Sequence, residues 1–155
     1  MKTQQKSELA TVVLTEKEFR DGIMPRAQLS VLASRLAIDK ATQKNAKEFA
    51  GFELLEAETV VKLLADMDTA VVALNEENKG FIEKLKAASG NEFDRLYMEA
   101  ELSNHEFLRD LAKNYLEGAN GKNSEKETQH IAMLALYAFT EHVALCKRIY
   151  GEVIA

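Results

Sequence analysis

The sequence predicts an all-α fold, a four-helix bundle with one long connection, and three observations carry that expectation. Apolar residues recur at helical spacing along most of the chain. Breakers are scarce, with one proline and seven glycines in 155 residues, which favours long helices over strands and turns. A hydrophobic share of 46% beside 29% charged residues is that of a folded chain rather than a disordered one. This length suits one domain: residues 1–14 as a flexible or docked lead-in, then a single bundle over 15–155.

Thr15-x-x-Glu18 reads as a capping box opening a short helix, which Gly22 and Pro25 then interrupt. The first main helix follows over about 26–40, where Leu29, Leu32, Ala33, Leu36 and Ala37 share a face. Thr42 is the candidate N-cap of a second helix reaching Met67. No Gly or Pro stands between Ala41 and Asn45, so one continuous helix over 26–67 is the rival reading. Residues 70–90 hold a shorter amphipathic helix around Phe81, Ile82 and Leu85 that stops at Ser89-Gly90. The third main helix runs over about 92–116, with Asn91 as cap and Asp94 in the first turn, where its charge suits the helix dipole. Residues 118–123 form the clearest loop. Ser124-x-x-Glu127, a second capping box, opens the last helix over about 125–153. The stretch between the second and third main helices is long enough for those two to run parallel.

Several ionisable side chains fall where such a bundle keeps its core. At about 100° per residue, Glu53 lies near the centre of the arc Ala46, Phe49, Ala50, Ala57, Val60, Val61, Leu64, and Glu56 about a sixth of a turn away. His142 is central among Ile131, Ala135, Ala138, Phe139, Leu145, Cys146 and Ile149. Asn104 is central on the third main helix, Glu101 flanks its apolar arc, and His105 sits at the edge as a partly exposed residue. Glu101 and His142 each stand roughly twenty residues from the middle of the last loop, so a hairpin rising about 1.5 Å per residue brings them level.

Burying such groups unpaired is expensive, so they pair, hold water or bind a metal. The metal reading takes Glu53, Glu56, Glu101 and His142 as candidate ligands, with His105 an outlying one, for a single Fe, Zn or Mn ion. The other reading is a hydrogen-bond network in which the carboxylates accept from His142, Asn104 and Tyr97 and fix helix register. A di-iron centre requires a Glu from each of two helices and Glu-x-x-His from each of the other two. Glu101 and His105 are four apart, the first main helix has no central acid, and Glu127 of the one Glu-x-x-His is engaged in capping. Its partner His130 reads as solvated.

The four main helices resemble a bacterial ferritin-like family of unknown function, whose members are often labelled outer membrane proteins. The likeness is carried by Leu32-Ala33, Asn45-Ala46-Lys47-Glu48-Phe49-Ala50, Glu92-Phe93-Asp94-Arg95-Leu96-Tyr97, Ser103-Asn104-His105-Glu106 and the segment from Glu141-His142 to Cys146-Lys147. Together these segments cover about residues 26–150. Many members carry an Asp-His pair on the second main helix; Glu53-Leu54-Leu55-Glu56-Ala57 stands there, without the histidine. The resemblance implies a ferritin-like bundle and export, but no established activity.

Other function classes are excluded by composition. A net charge of −5, with lysines spread among acids, is no nucleic-acid footprint. The single Cys146 excludes an internal disulfide and zinc-finger spacing, and its apolar surroundings read as a packed thiol. No apolar run approaches the roughly 18–20 residues of a membrane span. Residues 1–14 hold no continuous apolar stretch, so no export signal is legible. The chain as given reads as cytoplasmic, and an exported protein of the periplasm or cell envelope would look the same once its signal was removed. No phosphate loop or Gly-x-Ser-x-Gly element is present. Phe19, Ile23 and Met24 make an apolar patch for the folded-back N-terminal segment or for a second subunit of a homo-oligomer.

The expected function is a noncatalytic ferritin-like domain whose buried Glu/His layer sets register and can hold one metal ion. A metal-dependent oxidoreductase or metal-storage protein of the bacterial envelope is the alternative. A stress-related module working through a protein partner is the third reading.

Overall fold

The computed structural model describes residues 13–118 and 125–155, and among these it contains five helices and no strand. They are α1 (Glu16–Lys40), α2 (Lys44–Asp66), α3 (Glu76–Ala87), α4 (Gly90–Gly118) and α5 (Lys126–Ile154). The pairs α1/α2 and α4/α5 pack as hairpins, and α1 lies against α4. Ser34 meets Tyr97, Ser30 meets Glu101 and Arg26 meets Asn104, so α1 and α4 are antiparallel. Thr42 meets Asp94 and Glu53 meets His105, so α2 and α4 run parallel, as the long connection allows. The short α3 on that connection turns Ile82 and Leu85 into the core. Among the described residues, no helix is long and apolar enough to cross a membrane.

Two apolar blocks fill the bundle. One gathers Phe49, Leu85, Phe93, Tyr97, Ile149 and Val153, and the other Phe19, Met24, Leu64, Leu108, Tyr115 and Phe139. The polar layer lies between them. Cys146 is a buried free thiol in the first block.

Gly22 and Pro25 do not interrupt α1. The expected capping box is present, with Thr15 Oγ1 accepting from the Glu18 amide at 3.1 Å and Glu18 accepting from the Thr15 amide at 2.8 Å. The helix then continues through Pro25 to Lys40. An interior proline costs about 3 kcal/mol. Phe19, Ile23 and Met24 are almost completely buried around it, and each such side chain gains about 1.5–3 kcal/mol from burial. Phe19 also stacks on Tyr115 with ring centroids 4.5 Å apart. These three residues are therefore core, not a free patch for another subunit. Gly22 marks close helix approach: a Cβ there would lie 2.9 Å from Leu111 Cδ2 on α4.

The break between α1 and α2 falls at residues 41–43, which settles the choice between one helix and two. Thr42 is not the cap. Gln43 takes that position, its Oε1 accepting from the Ala46 amide at 2.6 Å. Thr42 is instead held by Asp94, which accepts from the Thr42 amide (3.0 Å), Thr42 Oγ1 (2.6 Å) and the Gln43 amide (2.8 Å). Asn91 likewise serves another helix rather than capping its own. Its Nδ2 donates to the Val153 carbonyl at 3.0 Å, and α4 starts at Gly90 with φ of +58°, a conformation glycine adopts without strain. The N-cap of α5 is Glu125, whose side chain caps no helical amide, and the predicted cap Ser124 lies outside the described residues.

One glycine offers a simple gain. Gly51 sits in the interior of α2 with open space where a Cβ would go. Gly51→Ala is expected to stabilise the protein by about 0.5–1 kcal/mol by reducing the freedom of the unfolded chain. A thermal melt rising by about 1–4 °C would agree, and a fall would contradict it.

Candidate metal centre

The polar layer is assembled from three helices. α2 supplies Glu53 and Glu56, one helical turn apart; α4 supplies His105; α5 supplies His142. Glu53 is 2% exposed, His105 0% and His142 8%, while Glu56 is half-buried. One ligand-type atom from each of these four residues lies within 4.8 Å of the others.

At the centre are three atoms. His105 Nε2 is 3.1 Å from Glu53 Oε2, His142 Nδ1 is 3.0 Å from the same oxygen, and the two ring nitrogens are 3.3 Å apart. The distal nitrogen of each ring has its own acceptor. His105 Nδ1 is 2.8 Å from the Glu101 carbonyl oxygen, which can only accept, so Nδ1 donates there. His142 Nε2 is 3.2 Å from Glu56 Oε2. Glu56 in that place accepts from Nε2–H, the tautomer that turns the Nδ1 lone pair inward. Phe49 closes edge-on against both imidazoles and Phe139 against His105, keeping the rings in these orientations.

The charges follow from this geometry. Burial pushes Glu53 up, but the adjacent His105 and His142 outweigh it and hold the carboxyl down to about 2. Burial lowers His105, yet Glu53 and then Glu101 raise it, to about 10. Glu101 is lifted to about 8 by burial and by the Glu53 charge. Glu56 is raised, first by burial and then by Glu53. The layer thus sets a Glu53 anion against a protonated His105, with Glu101 and Glu56 resisting ionisation beside that charge.

Glu53, Glu56 and His142 come together as the helix wheel placed them, whereas His105 and Glu101 exchange roles. His105 was expected at a partly exposed edge. It is fully buried because α4 packs against α1 on one flank and α5 on the other, so its buried arc is wider than one apolar stripe. Glu101 is also buried but faces α1, its carboxylate accepting from Ser30 Oγ at 3.0 and 3.3 Å and standing 3.5 Å from His105 Nδ1. Nor do Tyr97 and Asn104 donate to the carboxylates. Tyr97 pairs with Ser34 at 2.8 Å, and Asn104 donates to Ser30 Oγ at 3.0 Å while accepting from Arg26 at 3.2 Å. His130, at an exposed position, takes no part. The one signal that could have raised His105 is its i,i+4 relation to Glu101 on a helix with neighbours on two sides.

This is an all-helical bundle with a buried Glu/His cluster at mid-height. The chain belongs to the family DUF4142, a domain of unknown function, which matches it over residues 1–149. No curated protein and no solved structure matches it.

Proposed function

We propose that this protein is a metal-binding helical bundle, holding one divalent transition-metal ion through Glu53, His105 Nε2 and His142 Nδ1. The observation that carries the reading is the triangle those atoms form, with sides of 3.0, 3.1 and 3.3 Å. Ligands at the corners of a tetrahedron with bonds of 2.0–2.1 Å stand about 3.3 Å apart. Both imidazoles also have the outer partners that metal-bound histidines need, the Glu101 carbonyl and the Glu56 carboxylate. Two imidazoles and a carboxylate suit zinc, iron(II) or manganese(II), and leave a fourth position for an incoming donor.

One ion fits better than two. At this level α1 offers Ser30 rather than an acid, and the Glu101 carboxylate is engaged with it. The helix order, two hairpins joined by one long crossover, is that of ferritin-like bundles, and it supports such a fold over residues 15–155 as a single domain.

Elemental analysis of protein purified without chelators, followed by zinc titration of chelator-treated protein, tests the proposal. About one ion per chain is expected, with uptake releasing protons because metal and proton compete for the same lone pairs. His142→Ala should lose the ion while staying folded. Protein that arrives metal-free and takes up neither zinc, iron nor manganese would reduce the layer to a register-setting hydrogen-bond network.

A further inference from the structure

Among the four long helices, the neighbours α2 and α5 make almost no backbone contact. The space between them is a groove of about 620 Å³. That lies within the roughly 300–1,000 Å³ of small-molecule sites, which are mostly apolar with a few convergent polar groups. Phe52, Leu55 and Leu134 stand at its rim with 65%, 66% and 71% of their surface exposed. Of the four clustered residues, Glu56 and His142 line the groove, whereas Glu53 and His105 do not. The cluster therefore meets this space through Glu56 and His142.

The two ends of the groove differ in their polar residues, although Phe49, Phe52, Leu145 and Ile149 keep the first end largely apolar too and Glu141 joins Glu56 and His142 at the middle. Asn45, Glu48 and Arg148 lie towards one end, while beyond Glu56 and His142 the other end is lined by Val60, Leu63, Ile131 and Leu134, with Thr59 its polar exception. From the centre to Leu63 or Leu134 is about 10–12 Å of helix rise.

We propose that the α2–α5 groove is the ligand channel of the metal centre and takes a medium-chain apolar molecule with a single oxygen-donor head group. The head occupies the ion's open position beside His142 and Glu56, and the tail lies towards Leu63 and Leu134. This rests on the metal reading above.

Alkyl hydroxamates of increasing length, titrated into the full-length cobalt(II)-loaded protein, test it through the visible cobalt spectrum. Acetohydroxamate and octanohydroxamate should perturb the spectrum alike. Affinity should rise about three- to fourfold per added methylene until the apolar end is filled. Leu134→Arg, at an exposed position, should flatten that dependence, so that octanohydroxamate gains little over acetohydroxamate; Leu55→Arg serves if the first variant misfolds by circular dichroism. A normal cobalt spectrum with affinity independent of chain length overturns the channel and leaves the metal site standing. Failure to bind cobalt removes both. A dimer in sedimentation that Leu134→Arg or Leu55→Arg converts to monomer would make the groove an interface between copies, and also overturns the proposal.

Discussion

Glu53→Gln is expected to abolish the stabilisation that zinc confers while leaving the metal-free bundle folded. Glutamine keeps the volume and one acceptor oxygen but loses the charge that draws His105 and His142 onto a single point. The loss to the metal-free protein should be about 1–2 kcal/mol, the scale of one weakened buried hydrogen bond, because His105 can shed its proton once its counter-charge is gone. The metal-bound form is another matter. Free zinc at 1,000 times its dissociation constant stabilises a folded protein by about 4 kcal/mol. For a chain of this size that is about 8–16 °C in a thermal melt. Glu53→Gln should retain under about 2 °C of that rise, since removing the carboxylate takes away the anionic ligand of the three. Glu101→Gln separates the inner ligands from their surroundings. Its side chain touches Ser30 rather than the triangle, so an affinity loss of about 10–100-fold is the ceiling, the range found for outer partners. His130→Ala, at an exposed position, should change nothing. A full zinc-dependent rise in Glu53→Gln would mean that the metal sits elsewhere.

The parts legible in the sequence were those governed by one helix at a time. The 3.6-residue period alone turns Glu53 and His142 inward, and rise per residue sets their depth, because both quantities are local. His105 escaped because the width of a buried arc depends on how many neighbours a helix has, and that is a property of the bundle. The run through Pro25 escaped for a related reason: the apolar contacts of Phe19, Ile23 and Met24 that offset the lost helical bond come from α4 and from residues far along the chain. The α1–α2 break carries no glycine or proline because its determinant, Asp94, lies 52 residues from Thr42. The groove between α2 and α5 is a gap rather than a contact, and no pattern of residues announces which neighbours fail to meet.

Asp94→Ala is expected to be among the most destabilising single changes in the protein. The Asp94 carboxylate is buried and accepts three hydrogen bonds from residues 42 and 43, two of them from backbone amides at the turn between α1 and α2. Hydrogen bonds to a charged group contribute about 1.5–3 kcal/mol each, and a buried amide left without an acceptor costs about 1–3 kcal/mol. These effects overlap, so a total near 3–5 kcal/mol is the reasonable expectation, with the melting temperature falling by about 10 °C. Asp94→Asn should lose roughly half as much, since the amide oxygen still accepts, and the exposed Asp39→Ala should lose nothing measurable. The pin also reaches the metal centre. Glu53 stands eleven residues after Thr42, and His105 eleven residues after Asp94. Eleven residues are close to three helical turns, so joining Thr42, just before the N-cap of α2, to Asp94 in the first turns of the parallel α4 helps bring Glu53 and His105 to one height. Asp94→Ala should therefore weaken zinc binding as well, by about tenfold, although Asp94 lies about 16 Å along the helix from the triangle. A stable Asp94→Ala protein with unchanged zinc affinity would show that the helix register is held by the core packing of Phe93 and Tyr97 instead.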